Sequence, residues 1–216
     1  MTHTLKGSIV SFLVVAVALL FFGGLASWML YNRIDTSNRK DFVLNVTLFA
    51  KTLSAEDVSA LTGSLGDSTS EHYLRIKKGL SDGLLVDQNI RFTYLMGRNE
   101  TGELFFYADS EPSGSPEESL PGDVYVEATP AMNKLFDTAQ GVAEGPDRDR
   151  WGVWISAYAP VVSADGKVLA LVGMDVPADN YIFDIVVYSL FPILVAILII
   201  LVLYVVRRTQ GKRDYY

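Results

Sequence analysis

The sequence contains no cysteine and only two histidines, His3 and His72. The lack of cysteine excludes disulfide bonds, thiol nucleophiles and thiolate metal ligands. His3 lies in the N-terminal tail and His72 on a predicted helix, so neither a His-Glu-x-x-His zinc motif nor a Ser-His-Asp triad is indicated. A phosphate-binding Gly-x-x-x-x-Gly-Lys run is also missing. We therefore expect no catalytic domain of these classes in the chain.

Basic residues are scarce in the middle of the chain. Residues 32–184 carry 13 Lys and Arg against 24 Asp and Glu, a net charge of −11, and the whole chain has a net charge of −7. An acidic surface of this kind argues against nucleic acid as a partner.

Charged residues are absent from two long apolar segments, residues 8–31 and 185–206. At about 1.5 Å per residue, each helix could cross about 30 Å of hydrocarbon. The first segment could also be a signal peptide. It is longer than the apolar part of such peptides, however, and it ends in Trp28 and Tyr31, aromatic residues typical of the membrane interface. We therefore predict two transmembrane helices in a lipid bilayer.

The flanking charges predict the orientation of these helices. Arg207, Arg208, Lys212 and Arg213 follow the second segment, and such clusters stay on the cytoplasmic side. We therefore expect residues 1–7 and 207–216 in the cytoplasm and residues 32–184 as one extracytoplasmic domain at the cell (inner) membrane. A domain of this length can bury its own core.

The first part of the outer domain has helical periodicity. Apolar residues recur at spacings of three and four through Phe42, Val46, Phe49 and Leu53, directly after the first apolar segment. This spacing predicts a long N-terminal helix. Shorter helices are predicted over residues 54–61 and 71–80.

The second part alternates like β-strands. Residues 90–96 and 103–108 predict one hairpin, and residues 153–162 and 167–176 predict a second, with Asp165-Gly166 in its turn. Residues 111–123 are rich in Pro, Gly, Ser and Glu and predict an exposed loop, and residues 131–139 predict a short helix. The expected fold class is α+β, with a central antiparallel sheet after the long helix.

Five motifs follow one another in this β-rich part: RFTYLM at 91–96, FYAD at 106–109, WGVWISAYAPV at 151–161, DGK at 165–167 and VGMDV at 172–176. In this order they resemble the PAS-like extracytoplasmic sensor domains called Cache (PDC-type) domains. The resemblance covers roughly residues 53–179 and implies a small-molecule ligand bound between the sheet and its covering loops. It also implies a transmembrane receptor for signal transduction, with a long membrane-proximal helix and a homodimeric assembly.

The resemblance also suggests which residues line a ligand site. Asp175 is the candidate partner for a ligand ammonium or hydroxyl group, and amino acids or carboxylates are candidate ligands. Members of the family usually continue into a histidine kinase, diguanylate cyclase or chemotaxis module, so we expect output through a further domain or a partner. The predicted site residues are Tyr94, Tyr107, Asp109, Trp151, Trp154, Ser156, Tyr158 and Asp175.

Other interpretations of these residues are open at this point. The aromatic residues could be core, and the domain could instead be a protein-interaction or dimerisation module. Asp109 and Asp175 could form the carboxylate pair of a hydrolase, although no motif supports this. The acidic pairs at 117–118 and 147–149 lack the spacing of a calcium loop, so we expect solvated surface charge there, without a metal or cofactor site.

Overall fold

The computed structural model describes the backbone of residues 2–85 and 87–213. The chain forms two compact units, one made of residues up to Ser37 and from Ile182 onward, the other of Asn38–Tyr181. The elements in chain order are α1 (Thr2–Ala50), α2 (Ala55–Ser59), a 3₁₀ turn (Leu65–Thr69), α3 (Glu71–Gly83), β1 (Phe92–Arg98), β2 (Leu104–Asp109), α4 (Pro130–Thr138), β3 (Val142–Arg148), β4 (Val153–Val162), β5 (Val168–Pro177), α5 (Ala178–Ser189) and α6 (Phe191–Arg213).

The first unit contains the apolar helices. The stretches Ile9–Ala50 and Ala178–Gln210 contain 18-residue windows with mean hydropathies of 2.7 and 3.1, and only 6% and 17% of these windows are buried. Exposed apolar helices of this length suit the hydrocarbon core of a bilayer, not water. Two candidate membrane-spanning helices are therefore present where the sequence predicts them.

These two helices contact each other at small residues. A Cβ atom on Gly23 would lie 2.9 Å from the Cβ of Ala196, so the glycine permits a close approach. The helical run breaks at Leu190, next to Pro192, which has no amide hydrogen. The neighbouring Ile193 amide donates to the Ser27 hydroxyl, at 3.3 Å, and is thereby satisfied across the contact.

The second unit is built on a five-stranded antiparallel sheet in the order β2-β1-β5-β4-β3. Both predicted hairpins are confirmed, with strand ends within two residues of the predictions, and so are the helices α2, α3 and α4. Strand β3 was not predicted. It lies at an edge of the sheet, and its pairing with β4 is interrupted at Gly145 and Pro146. Because these two residues are atypical of strands, the sequence shows no regular alternation there.

The two faces of this sheet are covered differently. On the helix-covered face, the Thr93 hydroxyl donates to the Leu80 carbonyl of α3 at 2.6 Å, and Phe49 of α1 packs against Gly83 of α3. The opposite, loop-covered face carries an aromatic cluster that packs against Met132 of α4 and against the loops between β2 and α4. The core therefore has two layers, one on each side of the sheet.

Candidate functional site

A narrow cavity that opens to solvent lies on the loop-covered face. Its floor is formed by strand residues, and its walls by the loop that follows β2 and the turn before β4. The strand residues are Phe92, Tyr94, Met96, Phe106, Asp109 and Asp175. The loop and turn residues are Glu117, Ser119, Tyr125, Asp149 and Trp151.

Asp175 is the buried acid at the floor of this cavity. It lies on the central strand β5, between Phe92 of β1 and Ser156 of β4, and only 4% of it is exposed. The Tyr94 hydroxyl donates to its carboxylate at 3.0 Å. Among the residues that the structure describes, no cation pairs with this carboxyl group.

Burial controls the protonation of this acid. It raises the pKa of the Asp175 carboxyl to about 7, although hydrogen bonds from Ser156 and Tyr94 oppose the shift. Burial, together with the neighbouring Asp175, also raises the pKa of the Tyr94 hydroxyl well above its usual value, so Tyr94 stays a donor. Asp175 is therefore a carboxyl group that lacks a positive partner and is poised to ionise near neutral pH.

Gly173 explains how Tyr94 reaches Asp175. The two residues pair across β1 and β5, and a Cβ atom on Gly173 would lie 2.1 Å from a ring carbon of Tyr94. The ring therefore lies flat over the glycine, with its hydroxyl directed to the next residue on the same face. A larger residue at 173 would displace the ring.

Aromatic rings form the rest of the cavity wall. Phe106 makes edge-to-face contacts with Tyr94, Tyr125 and Trp151, with centroids 5.7, 5.7 and 5.9 Å apart. Phe92 packs in the same way on Trp154, at 5.2 Å. Such contacts favour fixed ring positions, so the wall is rigid and largely apolar.

Asp149 organises the turn before β4. One of its oxygens accepts hydrogen bonds from the Trp151 and Gly152 amides and from the Trp154 indole, at 2.8, 3.0 and 2.9 Å. The other accepts from the Tyr125 hydroxyl at 3.3 Å. The expectation of a solvated charge at Asp149 was therefore wrong, because the turn uses this carboxylate to place Trp151 and Trp154.

The covering loop, residues 110–123, is fastened to the sheet through Asp109 and Lys77. Asp109 accepts from the Ser119 amide at 2.6 Å and from Lys77 of α3 at 3.3 Å. Lys77 also donates to Glu118 at 2.8 Å. Burial raises the pKa of Asp109, and its partners limit the rise.

A second cation fastens the same loop. Arg91 donates to both Glu111 and Glu117. Three acidic residues of the loop, Glu111, Glu117 and Glu118, are thus bound to Lys77 or Arg91. The expectation of a solvated pair at Glu117 and Glu118 was wrong for Glu118, whose side chain is only 7% exposed.

The structure brings together seven of the eight predicted site residues on one face. Tyr94, Asp109, Trp151 and Asp175 line the cavity. The other three lie beside them: Trp154 and Tyr158 belong to the aromatic cluster beneath the cavity, and Ser156 bonds to Asp175.

Tyr107 lies on the opposite, helix-covered face. Leu95 pairs with Ala108 and Met96 with Phe106, so Tyr107 is an extra residue at a β-bulge. Its ring lies 4.9 Å from that of Phe105, beside Gly97. The bulge also returns Asp109 to the face of Phe106, which strict alternation would not do.

Sequence reasoning missed seven of the lining residues. Alternation with Tyr94 could have identified Phe92 and Met96, but the covering loop has no period that assigns its residues to a site. No cluster of three or more potential metal ligands occurs among the described residues. The missed residues are Phe92, Met96, Phe106, Glu117, Ser119, Tyr125 and Asp149.

Comparison with known proteins supports the fold. No family model matches the chain, and no curated protein matches it. An extracellular ligand-binding receptor from Desulfohalobium retbaense is similar over 78% of this chain, with 17% identity and a TM-score of 0.52, although the chain spans only 28% of that receptor. This likeness shows a shared fold.

A second similarity is to the ligand-binding domain of the Campylobacter jejuni chemoreceptor Tlp3, solved with L-valine. It covers 81% of this chain and 66% of that domain, at 15% identity and a TM-score of 0.49.

Proposed function

We propose that this chain is a transmembrane sensor whose extracytoplasmic domain binds a small molecule in the cavity on the loop-covered face. The observation that carries this proposal is Asp175, a buried carboxyl group without a cationic partner on the floor of an open, aromatic-walled cavity. Buried charges elsewhere in proteins are normally paired. An ammonium or hydroxyl group of a ligand is the partner that this position lacks.

The ligand is a small metabolite with a hydrogen-bond donor. Amino acids are candidates, since the Campylobacter domain was solved with L-valine, and carboxylates that carry a hydroxyl group are another class. The aromatic wall suits an apolar side chain next to the donor. Ser156 and Tyr94 hold Asp175 in place for this contact.

The membrane topology that fits this role has two spans in the inner membrane. The domain is extracytoplasmic, and the basic residues from Arg207 onward are cytoplasmic, as positive flanking charges favour. Both termini then lie in the cytoplasm, where an output module, in the same polypeptide or in a partner, receives the signal. A homodimer is the expected assembly.

The route of the signal starts at β5. This strand carries Asp175, ends at Pro177 and is followed without a loop by α5, which begins at Ala178. If β5 can take two placements, a ligand that binds more tightly to one of them favours that placement. It thereby also shifts α5 and the span that follows. Such a ligand shifts the receptor only by its difference in affinity for the two states.

The test uses the full-length chain in lipid nanodiscs. Its melting temperature is measured against twenty amino acids, their decarboxylated amines and short hydroxy acids, since a ligand of the folded state stabilises it by RT ln(1 + [L]/Kd). We expect at least one compound to raise the melting temperature of the wild type and not that of Asp175→Asn. Asp137→Asn, which removes an exposed carboxylate of α4, is the matched control and keeps the response.

A panel that leaves a well-folded wild type unchanged would contradict the proposal. The interaction or dimerisation module would then be the better account, and cross-linking of the outer domain in membranes would be the next experiment.

A further inference from the structure

Acidic residues dominate the surroundings of the cavity. Seven carboxyl groups line it or belong to the loop and turn that cover it, whereas none of the described residues that line it is Lys, Arg or His. The seven acids are Asp109, Glu111, Glu117, Glu118, Asp123, Asp149 and Asp175.

The nearby cations are already bound to acids of the domain. Lys77 Nζ lies 2.8 Å from Glu118 and 3.3 Å from Asp109, and Arg91 is bonded to Glu111 and Glu117. Arg150, next to Trp151, is paired with Glu127 at 3.0 Å. A ligand carboxylate would therefore have to displace one of these internal acids from its cation.

The aromatic wall favours positive charge as well. Guanidinium groups already lie on two of its rings: Arg91 Cζ is 4.0 Å from the Phe92 centroid, and Arg150 Cζ is 4.7 Å from that of Trp151. The electron-rich faces of such rings attract cations, most strongly where water is excluded. Asp175, close to Tyr94 and Phe92, adds a full negative charge once it is ionised.

We infer that this cavity selects a cationic amine without a carboxylate group, over the α-amino acid from which that amine is derived. The inference rests on the proposed ligand-binding function and narrows its ligand class. The ammonium group binds Asp175, and the apolar remainder packs on the aromatic wall. The carboxylate of an amino acid would instead enter acidic surroundings and be repelled by them. Repulsion between like charges is a common source of binding specificity.

The test compares three compounds that share an isopropyl group: isobutylamine, L-valine and isobutyrate. Calorimetric titrations of the full-length chain in phosphatidylcholine nanodiscs are made at pH 8, where Asp175 is ionised and the amine is protonated, with empty nanodiscs as the blank. We expect isobutylamine to bind at least about tenfold more tightly than L-valine, and isobutyrate not to bind. The same order is expected for isopentylamine, L-leucine and isovalerate.

Glu117→Gln tests the cause of the selectivity. Glu117 is half-exposed at the cavity wall, and its loss leaves Arg91 with one carboxylate partner fewer. We expect this variant to bind L-valine more tightly and the amine more weakly, so that the preference falls about three- to tenfold. Glu100→Gln, in the exposed β1–β2 turn, is the control and should keep the wild-type ratio.

The outcomes separate this inference from the proposed function. Binding of L-valine as tight as that of isobutylamine overturns the amine preference and leaves the sensor proposal standing. Unchanged selectivity in Glu117→Gln contradicts the electrostatic cause. If neither these compounds nor the wider panel of amino acids, amines and hydroxy acids binds to the folded protein, the ligand-binding function itself fails, and the preference fails with it.

Discussion

On the helix-covered face of the sheet, the three central strands carry mainly aliphatic residues, of which Leu95, Ile155 and Val172 are completely buried. The loop-covered face of the same strands carries aromatic rings, carboxyl groups and a cavity. Aliphatic side chains close-pack and stabilise the fold, whereas rigid rings around a buried acid leave a space and an unpaired charge. Under the proposed function, the helix-covered face supplies stability and the loop-covered face supplies recognition.

Leu95 and Met96 test this division most strongly, because they are adjacent on β1 but point to opposite faces. Both are fully buried. We expect Leu95→Ala to lower the free energy of unfolding by about 2–5 kcal/mol and to leave ligand affinity unchanged in the folded protein. Met96→Ala should lower the free energy of unfolding by less, because the space that it leaves joins a cavity that is already open. It should, however, change the ligand affinity. Urea unfolding followed by tryptophan fluorescence measures the first effect.

A larger stability loss for Met96→Ala than for Leu95→Ala would break the comparison. So would a loss of ligand affinity in Leu95→Ala that is not explained by unfolded protein.

The second-largest difference between the two faces is expected in the pH dependence of stability. The Asp175 pKa is about 7 in the folded state and near 3.8 in the unfolded state, so between these values the folded state binds more protons. Stability therefore falls as the pH rises from 4 to 7, by up to about 4 kcal/mol for a shift of this size. The groups that face Asp175 are Tyr94 of β1, Ser156 and Tyr158 of β4, Tyr125 of the segment before α4, and Asp149 of the turn.

Unfolding of the wild type and of Asp175→Asn at pH 5 and pH 8 measures this effect. The wild type should lose stability between the two pH values, and the variant should lose clearly less. Equal losses in both proteins would show that Asp175 is not the group that titrates.

The smallest effect is expected from two tyrosines of adjacent strands. Tyr94→Phe removes the hydrogen bond to Asp175 and should weaken ligand binding about three- to tenfold, the range of a single hydrogen bond. Tyr107→Phe alters the helix-covered face and should leave binding unchanged. Calorimetric titration with the same compound measures the ligand affinity of both variants. An equal loss of affinity in both would show that the ligand binds elsewhere.

Much of this fold could be predicted from the sequence. Asp165-Gly166 marks the turn of the β4–β5 hairpin, and alternation along these strands places Asp175 with Trp154 and Ser156, as the cross-strand pairs show. These features are local, since a turn type and a period of two are set by neighbouring residues.

The features that could not be predicted depend on contacts between distant residues. The bulge that puts Tyr107 and Asp109 on opposite faces of the sheet arises from the pairing between β1 and β2. Closure of the covering loop depends on Lys77, which is 41 residues from Glu118. No period or motif in the sequence records either of these contacts.

The most direct test of the account is the melting temperature of Asp175→Asn and the wild type at pH 8, each in nanodiscs with and without isobutylamine or L-valine. Because the empty wild type buries an unpaired charge, we predict that the variant melts higher than the wild type without ligand. We also predict that a compound that stabilises the wild type leaves the variant unchanged. A variant that melts lower and is still stabilised by the same compound would contradict the assignment of Asp175 as the ligand-binding carboxylate.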